Sequence, residues 1–390
     1  MPVTVTQQGI LTLIKSAITG EALPLSPAFS MSTVAQTARR HHITALLYEG
    51  AVRCGISHRD DPMPGMFQRS VSRLLISEKQ LSATQKLFAA FEEAGIDYMP
   101  VKGLRMKTLY PKPELRSMAD ADVLIRLEQY DKIRPILEQQ GFDEKVESDH
   151  ELIWVKKSLY LELHKRLIPS YNPDLYAYFE DPWSMAEREH GHCWSMRVED
   201  EWLYIFTHMA KHYRDGGIGL RHLTDLLVFR RAHPVMDEGY IRTALERLEL
   251  TEFYRHICRL LDYWFGGAPG DSTLEMMTEF IFTSGSFGTA DSHTVSMMLR
   301  KIENSRIGNA KLLYILNNLF PGKSVLEVRY PVLGKCPWLL PVIWVVRPFQ
   351  RIWKNPHLLH QKQKDLKTIT DEKIDNRRRS LKLVGLDFRF

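Results

Sequence analysis

Asp120 and Asp122 stand at i and i+2 in Ala119-Asp120-Ala121-Asp122-Val123-Leu124-Ile125, at the head of an apolar run. If 118–126 is a strand, its period of two turns both carboxylates to the same side of a sheet. Two anions held that close repel one another unless a cation lies between them. Mg²⁺ suits the position, because it prefers oxygen ligands and commonly bridges carboxylates to substrate phosphates. An isolated Asp-x-Asp is ordinarily a solvated pair on an exposed strand, so the neighbours decide the reading.

A third acid follows in Ser158-Leu159-Tyr160-Leu161-Glu162-Leu163-His164-Lys165. Alternation puts Tyr160, Glu162 and His164 on one face and Leu159, Leu161 and Leu163 on the other, the pattern of a half-buried strand. Between the two acidic strands, 129–140 reads as a helix that Gly141 stops and that Pro135 kinks. Strands are expected over 142–146 and 151–155. Upstream, an amphipathic helix over 78–95 leads into a short strand over 96–101. Lys102-Gly103 follows, and Gly103 allows close backbone approach. This order suits a small mixed sheet covered by helices. Three carboxylates from adjacent strands, with Lys-Gly at the end of a preceding strand, match a two-metal phosphoryl-transfer site.

With these residues the chain resembles the nucleotidyltransferase superfamily that includes DNA polymerase beta, and more closely a set of bacterial proteins known only as nucleotidyltransferase family members. The resemblance rests on Lys102-Gly103, Arg116, Asp120-Ala121-Asp122, Glu162-Leu163-His164 and the block His208-Met209-Ala210-Lys211-His212 … Gly217-Ile218-Gly219-Leu220-Arg221 … Asp225. It is faint around Arg329-Tyr330-Pro331 and Pro337-Trp338-Leu339-Leu340-Pro341.

The resemblance implies an α+β core with a small mixed sheet and transfer of NMP from an NTP to an acceptor hydroxyl, with release of pyrophosphate. It implies Asp120, Asp122 and Glu162 as ligands of Mg²⁺ or Mn²⁺, Glu162 being the activator of the nucleophile. Lys102, Gly103, Arg116, His164, Lys211, His212 and Arg221 are the implied nucleotide contacts. The superfamily usually carries a Gly-Ser pair before the paired acids, whose N–H groups and hydroxyl grip phosphate; Lys102-Gly103 stands there instead. Two other readings follow from the same residues: a toxin-like enzyme acting on tRNA or protein, and a nucleotide-binding regulatory module without turnover.

His208 and His212 have the i, i+4 spacing of a zinc pair, but the Glu of a His-Glu-x-x-His motif is absent and no third ligand is evident. Lys211, His212 and Arg221 fit better as phosphate contacts. Arg221 and Asp225 also have the spacing of a helical ion pair.

At 390 residues, with ordinary apolar and charged fractions, the chain is long enough for two or three domains. Pattern breaks suggest an N-terminal helical element over 1–75, a catalytic core over 76–168, a helical domain over 169–330 and a basic tail over 331–390. Helices are expected over 32–52, 201–213, 221–232, 240–248 and 251–265, and the turn-rich stretch 169–182 reads as the end of the sheet. The cysteines at 54, 193, 258 and 336 have neither metal-type nor disulfide-type spacing, which favours a reducing compartment. With no basic segment before the first apolar stretch, a cytoplasmic protein is expected.

Charge is uneven. Lys301 to Phe390 holds 18 Lys and Arg against 7 Asp and Glu, although the whole chain carries only +5. That surplus suggests an anionic partner for the tail: nucleic acid, a lipid surface or a protein. The apolar run 336–346 is too short to cross a bilayer. Its flanking Lys335, Arg347, Arg351 and Lys354 and its tryptophans fit either a peripheral membrane anchor over 335–354 or a buried closing helix.

Overall fold

A computed structural model describes residues 3–157, 159–170, 172–286, 288–300, 310–327, 330–354 and 369–387. The chain forms two compact units, Met1–Ala210 with Ile218–Ser286, and Lys211–Gly217 with Phe287–Arg389.

The first unit opens with α1 (Val5–Thr19), α2 (Met31–Arg40) and α3 (Thr44–Arg53). The continuous helix expected over 32–52 is two helices. The chain turns at His41 and His42, where His42 takes φ 55°, while the His41 ring is buried and hydrogen-bonded at both nitrogens. α1 and α3 pack closely because Gly50 has no side chain: a Cβ there would lie 2.1 Å from the Leu13 carbonyl oxygen.

α4 (Met63–Ala94) begins fifteen residues earlier than the amphipathic pattern suggested and ends on left-handed Gly95. It leads into β1 (Tyr98–Pro100), α5 (Gly103–Leu109), β2 (Asp120–Ile125), α6 (Tyr130–Gln139), β3 (Asp143–Glu147), β4 (Glu151–Lys156) and β5 (Leu159–His164). This is the expected order of elements. The sheet does not end with the turn-rich stretch after β5, however. Beyond α7 (Pro173–Tyr176), a hairpin of β6 (Ala186–His190) and β7 (Cys193–Met196) extends it, giving seven strands in the order β3-β4-β5-β2-β1-β7-β6. The period-two signal there is weak because β6 is mostly polar and exposed.

β2 and β5 run parallel in the middle of the sheet, while β1–β2 and β4–β5 are antiparallel. One face is apolar: Ala121, Val123, Ile125, Leu161, Leu163, Leu152 and Trp154 pack with Leu87 and Phe91 of α4 and Ile133 and Leu137 of α6. Burial of this face fixes the strand register, because a one-residue slip would turn the leucines outward and the acids inward. The opposite face carries the acids. The unit continues through α8 (Val198–Asp215, whose last turn and a half lies in the second unit), α9 (Leu220–Ala232), α10 (Glu238–Arg247), α11 (Thr251–Leu261) and α12 (Ser272–Ser284). The helix expected over 251–265 gives way at Asp262 to a π turn.

The second unit is helical in its described residues: α13 (Ala290–Leu299), α14 (Ala310–Leu319), α15 (Lys323–Glu327), α16 (Val332–Lys335), α17 (Leu340–Lys354) and α18 (Asp371–Leu383). Leu326, Leu333 and Ile343 form a small core. Arg329 and the side chains of Arg351, Trp353 and Lys354, which figured in the reading of the tail, lie outside the described residues. Among the described residues, no helix is long and apolar enough to cross a membrane.

Candidate active site

Strand register builds the site. Asp120 pairs with Tyr160, Asp122 with Glu162 and Leu124 with His164 across the parallel β2–β5 pair. Because i and i+2 residues share a face, Asp120, Asp122, Glu162 and His164 all belong to the face opposite the core.

Asp122 is the centre. It is 3% exposed, and its Oδ1 accepts from Lys102 Nζ at 2.7 Å and lies 2.8 Å from His164 Nε2. Lys102 Nζ is 3.3 Å from the same imidazole nitrogen, and Glu162 Oε2 is 3.6 Å from it. Asp122, Glu162 and His164 offer ligand atoms that all lie within 4.8 Å of one another. Two carboxylates and an imidazole, converging and largely buried, are a donor set that fits a divalent cation. Burial alone would raise the Asp122 carboxyl, but the Lys102 ammonium and the His164 hydrogen bond outweigh it and hold the group well below the ordinary carboxylate range. Lys102 moves the other way: burial opposes its charge, and Asp122, Tyr204 and Glu162 raise its pKa above the normal lysine value. His164 is raised as well, burial and Lys102 being outweighed by its hydrogen bond to Asp122 and by the nearby Glu162 carboxylate.

Asp120 shares the face but lies outside this tight group. Burial, together with the Asp122 and Glu162 charges, pushes its carboxyl up to about 6, against the opposing pull of Lys102 and Arg221.

Lys102 is positioned by an unusual backbone. The chain passes from β1 to α5 with Lys102 at φ 47°, ψ −114°, a conformation L-residues rarely adopt and one that costs on the order of 1–3 kcal/mol. The bend is clamped on both sides: Val101 N–H donates to the Asp122 carbonyl at 3.1 Å, and Met106 N–H to the Lys102 carbonyl at 2.8 Å. Gly103 packs tightly beside it: a Cβ there would lie 3.0 Å from both Arg116 Nη1 and Met118 Cγ, so a larger residue would need those side chains to shift.

Arg116 is spent on a carboxylate. Its Nε and Nη2 donate to Asp225 Oδ1 and Oδ2 at 3.1 and 3.0 Å, and the Tyr110 hydroxyl donates to Oδ1 at 2.7 Å. Asp225 of α9 is thus tied to the segment leading into β2. Lys107 Nζ adds bonds to Ser77 Oγ at 2.5 Å and the Arg116 carbonyl at 3.0 Å. Burial, then the Arg116 charge, bring Lys107 down to about 8. Arg221, one turn before Asp225, acts electrostatically on both Arg116 and Asp120. Lys211 and His212 belong to the second unit, and the cluster described here is built without them.

Sequence reasoning did not single out Tyr204, whose hydroxyl donates to the Leu167 carbonyl at 3.5 Å and whose pKa is raised by burial first, against the pull of the Lys102 charge. Its one signal is helical spacing: it stands one turn before His208, with the rings 6.2 Å apart. Tyr110, Lys107 and Ser77 were also missed, since none belongs to a motif.

No curated protein matches the chain. Among solved structures, that of the antibiotic-resistance factor ANT(2'')-Ia is similar at 14% identity and a TM-score of 0.32, over 49% of this chain and 99% of that one. The profile of a family described as "uncharacterised nucleotidyltransferase" matches residues 27–266. That span holds the whole seven-stranded sheet and the acidic cluster on it, and the protein belongs to that nucleotidyltransferase family.

Proposed function

We propose that this protein transfers a nucleoside monophosphate from an NTP to a hydroxyl of an acceptor, with release of pyrophosphate. The observation that carries the reading is the convergence of Asp122, Glu162 and His164 beside Lys102 on one sheet face, in a chain of a nucleotidyltransferase family. Asp120, Asp122 and Glu162 would hold Mg²⁺ or Mn²⁺, which when bound polarises the attacking hydroxyl and neutralises triphosphate charge. Glu162, less buried than Asp122, orients the acceptor hydroxyl and takes its proton. The acceptor oxygen bonds the α-phosphorus as the bond to the bridging α–β oxygen breaks, and the electron pair leaves with pyrophosphate. Lys102 and Arg221 meet phosphate oxygens, and Gly103 lets the α5 backbone come close. Arg116 serves this site through Asp225, by fixing the approach to β2. Nucleotide contact by Lys211 and His212 is tested separately by Lys211→Ala and His212→Ala.

The test is incubation with Mg²⁺ or Mn²⁺ and each of four α-labelled NTPs in cell extract, followed by identification of what acquires label. Transfer from α-labelled but not γ-labelled NTP is the expected result, and the reverse would mean a kinase. Label on tRNA or a cellular protein selects the toxin-like enzyme. Nucleotide binding without transfer selects a regulatory module.

The tail reading concerns the second unit alone. Trp338, Val342 and Val345 are exposed beside the small core, in a region of basic surplus, which supports attachment to an anionic lipid surface. Co-sedimentation with anionic but not neutral vesicles, lost in Trp338→Ser/Val345→Ser, is the expected result for a cytoplasmic, peripherally bound protein. Equal binding to neither kind of vesicle leaves nucleic acid or a protein as the partner.

A further inference from the structure

We propose that Asp122, Glu162 and His164 form a mixed carboxylate–imidazole cation site whose resident cation is the Lys102 ammonium, and that a divalent metal enters by displacing it. The inference rests on the proposed function for the metal's role, but not for the geometry.

The three donors lie within 4.8 Å of one another, close enough to share a single small cation. One already stands among them: Lys102 Nζ is 2.7 Å from Asp122 Oδ1 and 3.3 Å from His164 Nε2. A metal bound to the same carboxylate oxygen at roughly 2.1 Å would press a double positive charge against the ammonium. In a buried site such repulsion is poorly screened, so both cations cannot remain.

Lysine suits this exchange. Its charge is a compact point at the end of a flexible four-carbon stem, whereas an arginine fork would be committed to a planar bidentate partner. The Lys102 backbone is fixed by the bonds on either side of its bend, so the exchange needs only side-chain rotation. The displaced ammonium then needs a new anion, and the triphosphate is the one the reaction supplies. A lysine at this position is therefore both plug and phosphate ligand, in turn.

His164 adds an imidazole to the carboxylates that would hold the metal. Imidazole ligands favour borderline metals over Mg²⁺. The site should accordingly prefer Mn²⁺, and that preference should depend on His164.

Metal binding is measured directly on the full-length protein without nucleotide, with free Mn²⁺ read by electron paramagnetic resonance and Mg²⁺ by competition. Lys102→Met is expected to bind Mn²⁺ at least tenfold more tightly than wild type. Adding His164→Gln to Lys102→Met should cut Mn²⁺ affinity at least tenfold and Mg²⁺ affinity much less. In wild type, saturating Mn²⁺ should raise the rate at which an acylating reagent modifies Lys102, read by mass spectrometry. Circular dichroism checks folding, and Lys102→Gln replaces Lys102→Met if that variant does not fold. Unchanged or weaker Mn²⁺ binding in the Lys102 variants, or unchanged Lys102 acylation, overturns the proposal. Transfer of α-label by wild type alongside that result would leave the proposed function standing. Tightened metal binding in a protein that transfers no label would do the converse.

Discussion

Asp122 on β2 and Glu162 on β5 face each other as register partners across a parallel strand pair, with His164 two residues farther along the same face. Two acids forty residues apart in sequence are thereby brought together by backbone pairing alone, before any side-chain interaction is counted. The unlike environments of Asp120 and Asp122 follow from this arrangement. Asp122 is neutralised by Lys102 and His164, while Asp120 feels mainly burial and the charges of its two acidic neighbours.

Asp120→Asn and Asp122→Asn should therefore abolish transfer equally but change stability in opposite directions in chelator-treated protein. The folded-state pKa of Asp120 is raised from 3.8 to about 6. Stability is thus greater below that range and falls as pH rises through 6. Asparagine mimics the protonated form, so Asp120→Asn should stabilise the protein at pH 8 by about 1–3 kcal/mol. Asp122→Asn strands the buried Lys102 charge and should destabilise by about 3–5 kcal/mol. Urea denaturation of both variants checks this, and shifts of the same sign would refute the assignment.

Glu162→Gln should leave nucleotide affinity within about threefold of wild type and lower turnover on the order of a hundredfold or more. In the proposed mechanism its carboxylate takes the acceptor proton, a role that matters most in the transition state. Single-turnover kinetics with α-labelled NTP separate the two quantities. Lost nucleotide binding with retained turnover would mean the roles are misassigned.

The acids and the sheet were legible because alternation is a local signal. Leu159, Leu161 and Leu163 must point into the core, and that alone sends Glu162 and His164 the other way. The β6–β7 hairpin was not legible, because its mostly polar residues leave no alternation to read. Nor was the break at His41-His42, where a buried ring and a positive φ replace the usual Gly or Pro punctuation. The i, i+4 spacing of Arg221 and Asp225 gave no hint that Asp225 is also held by Arg116, more than a hundred residues away in sequence. Long-range partner choice depends on which elements α9 packs against, and no short-range pattern carries that.

Arg116→Lys should fail to substitute for arginine, even though it keeps the charge. The pair with Asp225 uses two parallel donors, Nε and Nη2, and an ammonium cannot reproduce that fork. Loss of the bidentate geometry in a site where both side chains are almost wholly buried should destabilise by about 2–4 kcal/mol. The double variant Arg116→Met/Asp225→Leu should recover part of that loss. A thermodynamic cycle by chemical denaturation measures the coupling, and a coupling near zero would return Arg116 to the nucleotide contacts.

The first unit should lose stability in acid through His41. Its neutral ring is satisfied at both ends: one nitrogen, Nε2, lies 3.1 Å from the Phe282 carbonyl oxygen, and Nδ1 accepts from the Leu220 N–H at 3.1 Å. Nε2 therefore carries the proton, and a second proton on Nδ1 would be aimed at a donor. Burial, reinforced by the Arg40 charge and opposed only by the Phe282 bond, brings its pKa from 6.5 down to about 4. Above pH 6.5 folded and unfolded chains both hold the neutral ring, and stability is full. As pH falls from 6.5 toward 4, only the unfolded chain takes up the proton, so stability drops by about 3 kcal/mol over that window. His222, lowered to about 3 chiefly by burial, acts in the same direction, whereas Asp120 acts in the opposite one. A difference measurement isolates His41: His41→Gln keeps a donor and an acceptor but does not titrate. It should be less stable than wild type at pH 7.5, and that deficit should shrink by about 3 kcal/mol by pH 4. A deficit that stays constant between pH 7.5 and 4 would show that His41 does not resist protonation in the folded protein.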